Sequence, residues 1–379
     1  MKFVVNRDVC ADAVSFVVKL IPQRPTMPIL GGVLLEASQA GLSLSSFDHE
    51  VSSRTTVKAD VEAEGSVLVQ GKILADIASR LPNAPVEFAL DDTGVTITCG
   101  SAKFHLPTMP ILEFPKLPVV EGTSGTVPGQ QFAEAVGQVA VAASREDIAP
   151  VITGVNLGLG KDQLTLIATD RYRVAVREMP WASGFEADET ALVHARTLSE
   201  VGKSFANAEE VTITLMQSGE RRLIAFSANE RTVTSNLIAG TFPPVAKLFP
   251  SETPPYAVLQ VSDLVDAVRR VSLVLERDAV LRFTFDQEGL QLEALGSEQA
   301  QASEQIDAVL RGDDIVISLK PAFLLDGVSA IHSEFVRIAF TKSGVPNKPG
   351  PVLLTAQTSR DEGESESFRY LLQPNLIMR

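Results

Sequence analysis

One stretch of this chain is written more than once. Gly154 to Asp170 reads Gly-Val-Asn-Leu-Gly-Leu-Gly-Lys-Asp-Gln-Leu-Thr-Leu-Ile-Ala-Thr-Asp, and it lies without a gap on Gly32 to Asp48. Gly154 then falls on Gly32, Val155 on Val33, Leu157 on Leu35, Leu164 on Leu42, Leu166 on Leu44 and Asp170 on Asp48. A third, more worn copy places Leu281, Phe283, Gly289, Leu290 and Leu292 where Val33, Leu35, Gly41, Leu42 and Leu44 fell, with Gly296 in place of the terminal Asp. The steps are 122 residues from Leu42 to Leu164 and 126 from Leu164 to Leu290. Repeat arrays use units of about 20 to 50 residues that cannot fold alone. A unit of roughly 125 residues is a whole domain with its own core, so the pattern predicts one fold built three times.

Each copy alternates apolar residues on both sides of a short polar turn, which predicts a hairpin. Around it the first repeat carries a helical stripe of Val9, Ala13, Phe16, Val17, Leu20 and Ile21, stopped by Pro22, and a second helix from Lys72 to Leu81, stopped by Pro82. In the second repeat the stripes are Phe132, Val136, Val139, Ala140 and Ala143, then Thr197 to Phe205. The third has Leu264, Val268, Val271 and Leu275 with Ser262 as N-cap, then Pro321 to Ile331 with proline in its favoured first turn. Leu74, Leu198 and Leu324 correspond, as do Asp76, Glu200 and Asp326, in the same register as the hairpins. Residues 344 to 351 and 359 to 367 read as exposed loops. Two helices and about eight strands per unit predict an α+β fold, three tandem domains in which two helices cover one face of antiparallel sheet. The linkers set the domains at 1–120, 126–249 and 256–379.

At 379 residues the chain exceeds one comfortable core, which agrees with three domains. Asn6, Arg7 and Asp8 interrupt the apolar start at once, and no apolar run is long enough to span a membrane, so a cytoplasmic protein without membrane contact is expected. Cys10 and Cys99 read as reduced structural thiols. The net charge of -14 repels nucleic acid at long range, so any DNA function needs basic side chains gathered on one face.

Catalytic and cofactor chemistry leaves no pattern. His49, His105, His194 and His332 lack metal-ligand spacing. Gly71-Lys72 lacks the other residues of a phosphate loop, with Ser66 and Ile73 where glycine and Ser or Thr belong. Asp48 and Asp170 end equivalent strands in different domains, which predicts turn-capping roles instead of acid–base catalysis. No metal, cofactor or catalytic residue is expected. The residues alone leave open a protein-interaction scaffold that never meets DNA, or a hydrolase with a scattered site.

The combination of three such domains with Arg24-Pro-Thr-Met-Pro-Ile-Leu-Gly, Ala168-Thr-Asp-Arg-Tyr-Arg-Val-Ala175 and Tyr370-Leu-Leu-Gln-Pro374 resembles the bacterial sliding clamp family, the β subunit of DNA polymerase III, over the whole chain. The resemblance implies a non-catalytic processivity factor. Two protomers of clamp-type domains would close head to tail into a six-domain ring, helices inside, around duplex DNA held without sequence specificity. Twelve helices side by side at roughly 9 to 10 Å give a hole of roughly 35 Å, and an acidic exterior with basic inner helices would resolve the charge paradox.

The family's DNA-facing positions match Arg24, Lys72 and Arg196, and helix placement adds Arg7, Lys19, Arg80, Lys203, Arg269 and Lys320. Its dimer interface matches Phe104 and Leu106 on a late strand, and Leu273 and Val274 on the first helix of repeat three. Its pocket for peptides of the polymerase catalytic subunit, the clamp loader and other partners matches Ile152, Thr169, Arg171, Tyr172, Arg173, Val174, Pro243, Leu248, Leu371, Leu372, Gln373, Pro374 and Asn375. In that pocket Arg173 is expected to orient the peptide. Gln373 and Asn375 stand where relatives often carry apolar residues, and Ala149 and Pro150 stand where some carry DNA-touching aromatics.

Overall fold

The repeated leucines are the core. In a computed structural model of the chain, Leu42, Leu44, Leu164, Leu166, Leu290 and Leu292 are all buried, as are the helix leucines Leu74, Leu198 and Leu324. The structure describes residues 1–218, 221–250, 254–276, 279–294, 300–342, 349–361 and 363–375. Gly296 and residues 344–348, singled out in the sequence, lie outside them.

Among the described residues six α-helices follow the repeat, two in each: α1 (Arg7–Val18), α2 (Gly71–Ala78), α3 (Gly129–Ala140), α4 (Ala195–Phe205), α5 (Val261–Val271) and α6 (Pro321–Ala330). Among the described residues each repeat has nine strands, one more than the pattern predicts. The extra ones are short edge pieces such as Asp60–Ala63 and Val309–Arg311.

Two compact units divide the chain, and the division runs through the middle repeat. The first comprises Met1–Ala133, Trp181–Glu186 and Thr197–Leu237. It holds a five-stranded sheet, Asp60–Ala63, Lys2–Val5, Val86–Asp91, Gly94–Cys99, Ala102–Leu106, and one of nine strands. In the nine-stranded sheet Arg231–Asn236, the last strand of repeat two, pairs antiparallel with Val51–Val57 of repeat one. The second unit comprises Glu134–Pro180, Ala187–Arg196 and Ile238–Arg379. Its nine-stranded sheet is joined in the same way, Arg173–Pro180 of repeat two pairing with Glu364–Leu372, the last strand of repeat three. Its four-stranded sheet runs Ala302–Ile306, Gly289–Ala294, Leu281–Asp286, Ile315–Leu319.

Local differences from the sequence reading have physical causes. Asn6 caps α1 by accepting from the N–H groups of Asp8 and Val9, at 2.9 and 3.3 Å. From that start the buried positions are Cys10, Ala13, Val14, Phe16 and Val17, a stripe of i, i+3, i+4, i+6 and i+7 that leaves Val9 39 % exposed. Ser262 is not an N-cap: strand Tyr256–Gln260 runs straight into α5, Gln260 takes the cap position, and the first helical N–H, on Val261, donates to the Glu334 carbonyl at 2.9 Å. Residues 364–367 belong to the strand Glu364–Leu372, whose polar beginning carries mostly exposed or half-buried residues while its apolar end runs through the core.

Candidate partner and DNA sites

The turn after Gln163–Thr169 is built by one carboxylate. Asp170 Oδ1 accepts from the N–H groups of Tyr172 and Arg173 at 3.0 and 3.1 Å, and Arg171 takes a left-handed φ of 81°. Asp48 does the same one repeat earlier, accepting from Glu50 and Val51 at 2.9 and 2.7 Å, with His49 at φ 76°. Both aspartates are turn formers, as the spacing predicts. The C-terminal strand closes this turn: Arg173 pairs with Leu372 and Val174 with Leu371, and Gln373 N–H donates to the Tyr172 carbonyl at 2.8 Å.

Arg173 is 5 % exposed and makes three side-chain hydrogen bonds. Its Nε donates to Asp170 at 2.8 Å, and one Nη donates to Asp326 of α6 at 2.6 Å and to the Tyr370 hydroxyl at 3.1 Å. The guanidinium lies 4.4 Å from the centre of the Phe323 ring. Burial works against its charge, but Tyr370, Asp326 and Asp170 outweigh burial and lift its pKa above the ordinary value. Burial pushes the Tyr370 hydroxyl up as well, so it stays neutral and donates to the Phe323 carbonyl at 2.8 Å. Arg173 therefore organises the turn from within, its guanidinium engaged by this chain's own groups where the sequence suggests one turned to a peptide.

What faces solvent here is Tyr172, 62 % exposed and stacked on Phe323 with ring centres 6.0 Å apart. Arg171 and Asn375 are exposed as well; Pro243 and Gln373 are half-buried, and Leu248, 54 % exposed, ends the turn Val245–Leu248. Val174 and Leu371 form a buried cluster with Val176, Ala339 and Leu353, against which Val245, Phe249 and Tyr256 pack. Leu372, Thr169, Ile152 and Pro374 are also buried, and Asn375 N–H donates to the Ser318 carbonyl. Leu371 and Leu372 are thus strand residues of this chain's own sheet. Sequence reasoning missed Phe323 and Asp326 as members of this cluster; an aromatic directly before the repeated Leu324 was the available signal.

The basic candidates divide. Lys19, Arg24, Lys72, Arg80, Arg196, Lys203 and Arg269 are exposed. Lys72 and Arg196 are the second residues of α2 and α4, where the helix dipole favours anions and a cation adds no stability. Arg7 is turned partly inward, donating to the Leu81 carbonyl and to Asp8. Arg80, just past the end of α2, lies 3.6 Å from Asp76, and Lys203 lies 2.8 Å from Glu200 on the same helix α4. Lys320 is half-buried at the N-cap of α6 with its amine 5.5 Å from the Phe323 ring centre, which groups it with the Tyr172 cluster and not with the exposed helix cations.

Of the interface candidates, Phe104 is 37 % exposed on the edge strand Ala102–Leu106, whereas Leu106 is buried in the core. Leu273 and Val274 lie not in α5 but in the 3-10 turn Ser272–Val274 that follows it, Leu273 being 83 % exposed. Arg270 ties the end of α5 to Glu304 on the edge strand Ala302–Ile306, at 2.5 Å.

Among the described residues no helix is long and apolar enough to cross a membrane. The models of the DNA polymerase III beta subunit match three consecutive stretches: its N-terminal domain residues 1–118, its central domain 126–244 and its C-terminal domain 246–356. The beta sliding clamp of Streptomyces coelicolor is 45 % identical over 376 residues, 99 % of each chain. The crystal structure of the DNA polymerase sliding clamp from Bacillus subtilis superposes with a TM-score of 0.89 at 24 % identity, covering 99 % of both chains. A Pseudomonas aeruginosa clamp bound to griselimycin gives 0.89 at 23 % identity, covering 100 % of this chain and 99 % of that one. With two helices and nine strands among the described residues of each of three tandem repeats, the chain belongs to the DNA polymerase III beta-subunit family, the beta sliding clamps, which are non-catalytic processivity factors.

Proposed function

We propose that two copies of this processivity factor close head to tail into a ring of six domains, 1–120, 126–249 and 256–379 from each, that encircles duplex DNA and tethers the polymerase. One observation carries the reading. Twice within the chain the last strand of one repeat pairs with the third hairpin-sheet strand of the repeat before it, Arg231–Asn236 with Val51–Val57 and Glu364–Leu372 with Arg173–Pro180. The same rule leaves over the last strand of repeat one, Ala102–Leu106, and its counterpart in repeat three, Ala302–Ile306, and both are sheet edges. A head-to-tail contact must close or run on into a filament. Carrying the internal register across sets Phe104 opposite Ala302, Lys103 opposite Ser303 and Ala102 opposite Glu304, with Leu273 beside the joint.

Arg24, Lys72 and Arg196, backed by Lys19 and Arg269, are the residues we assign to the DNA phosphates. The partner site is the Tyr172–Phe323 surface with Arg171, Leu248 and Pro243 around it, over a floor that Val174 and Leu371 help to build. It takes short peptides with Leu or Phe anchors from the polymerase catalytic subunit, the clamp loader and other clamp-binding proteins. Griselimycin on the Pseudomonas clamp supports a peptide-sized site in such a fold. The experiment is retention on closed circular DNA: release on linearisation is expected, and equal retention on both forms would refute enclosure.

A further inference from the structure

We infer that Asp326 and Tyr370 are positioning residues for partner peptides, acting through Arg173 to hold the exposed Tyr172 ring on Phe323; this rests on the partner site assigned above. The connections form a closed circuit. Asp170 shapes the turn that carries Tyr172 and also accepts from Arg173 Nε. Arg173 bridges from that turn to α6 through Asp326, a contact across 153 residues of sequence, and to Tyr370 on the C-terminal strand. Tyr370 returns to α6 by donating to the backbone carbonyl of Phe323. Gly327, one residue after Asp326, lets the Tyr370 ring lie against α6, since a Cβ there would come within 2.5 Å of it. Phe323 thereby has its backbone held by Tyr370, one face covered by the Arg173 guanidinium, and Tyr172 stacked on it.

The chain supplies its own control for whether this circuit is a requirement of the fold. The junction between repeats one and two has the same turn, the same left-handed residue and the same closing bond, Asn236 N–H to the Glu50 carbonyl at 2.8 Å. Yet Val51 stands there for Arg173, Val233 for Tyr370, Glu200 for Asp326 and Thr197 for Phe323, and Glu200 pairs within its own helix with Lys203. The backbone is therefore built without the network. A buried arginine is expensive to desolvate and gives little net stability even when well paired. Its presence at only one of two equivalent junctions, the one where an exposed tyrosine stacks on a ring of the neighbouring helix, points to a duty at that surface.

The test reads geometry and binding separately. The chain has three tyrosines, so protein labelled with 3-fluorotyrosine gives a simple spectrum in which Tyr172→Phe identifies the Tyr172 signal. In Asp326→Asn and Tyr370→Phe, that signal (followed in Tyr370→Phe with two tyrosines remaining) should move away from its wild-type position as the stacking loosens. Affinity for a fluorescein-labelled nine-residue peptide with one Leu and one Phe should fall about 5- to 20-fold, and Asp326→Glu should recover part of both. A thermal midpoint near the wild-type value separates this from unfolding, and the mild Tyr370→Phe serves should Asp326→Asn fold poorly. Wild-type binding that Tyr172→Ala does not weaken would overturn the site itself. Binding that Tyr172→Ala weakens and both network variants leave unchanged would overturn the positioning role alone.

Discussion

His49 and Arg171, one repeat apart, share a left-handed backbone conformation, φ 76° and 81°, and neither is glycine. Each follows an aspartate that receives two backbone N–H groups, so the turn is held by its own hydrogen bonds against the strain. Left-handed φ costs an ordinary residue about 1 to 2 kcal/mol, and glycine's extra freedom in the unfolded chain offsets about 0.5 to 1 kcal/mol of any relief. Arg171→Gly and His49→Gly should each stabilise by roughly 0.5 kcal/mol and Arg171→Val should destabilise. Urea midpoints in the opposite order would show an unstrained turn.

The proposed ring joint is tested by charge. Phe104→Glu together with Leu273→Glu should leave each protomer folded and raise the dimer dissociation constant at least about 100-fold, the loss of two exposed apolar anchors. Sedimentation at micromolar concentration decides it, a persisting dimer counting against the register given above.

In the proposed two-protomer ring, reversing Arg24, Lys72 and Arg196 to glutamate should remove up to six phosphate contacts. At about 0.9 per contact, the slope of log affinity against log salt should flatten by roughly 5. Circular dichroism should be unchanged, because all three side chains are exposed. An unaltered slope would remove these residues from the DNA-facing set.

At the proposed partner site, Tyr172→Ala should cost about 2 kcal/mol of peptide affinity, a hot-spot loss, with little effect on stability. Leu372→Asp is the contrasting variant: Leu372 is 1 % exposed inside a nine-stranded sheet, so a carboxylate there should lower the thermal midpoint first. Titration calorimetry and a thermal scan of the two proteins separate recognition from folding.

Burial pushes the Cys10 thiol up to about 12. Unfolded, it would ionise near its ordinary value, so between about pH 9 and 12 the unfolded chain carries fewer protons than the folded one. Stability should therefore fall with rising pH across that window, by up to about 1.4 kcal/mol per unit from this group. Cys10→Ser unfolded in parallel should show a shallower decline, and the native thiol should resist alkylation at pH 8.

The repeat made the architecture legible because its leucines recur in register and burial demands apolar residues at those positions. Capping was less legible: Ser262 is a good N-cap by type, but a strand running directly into α5 supplies Gln260 instead. The proposed partner surface was half readable. The run Thr169 to Arg173 and the apolar tail marked it, yet whether Arg173 points out or in depends on Asp326 and Tyr370, and no local pattern links residues 153 and 197 positions apart. Lys320 has the sequence position of any helix-end cation, and only the fold sets its amine over Phe323.

In the proposed ring the strand edges meet at three kinds of joint, and two of them are spanned by a covalent linker. A short tether keeps its two ends at an effective concentration in the millimolar range, so those joints stay closed whatever the protein's abundance. The joint of Ala102–Leu106 with Ala302–Ile306 has no tether and obeys mass action. Dilution, or a protein that grips one side, then parts the ring at this place only, and closed circular DNA passes through a gap that leaves every domain folded.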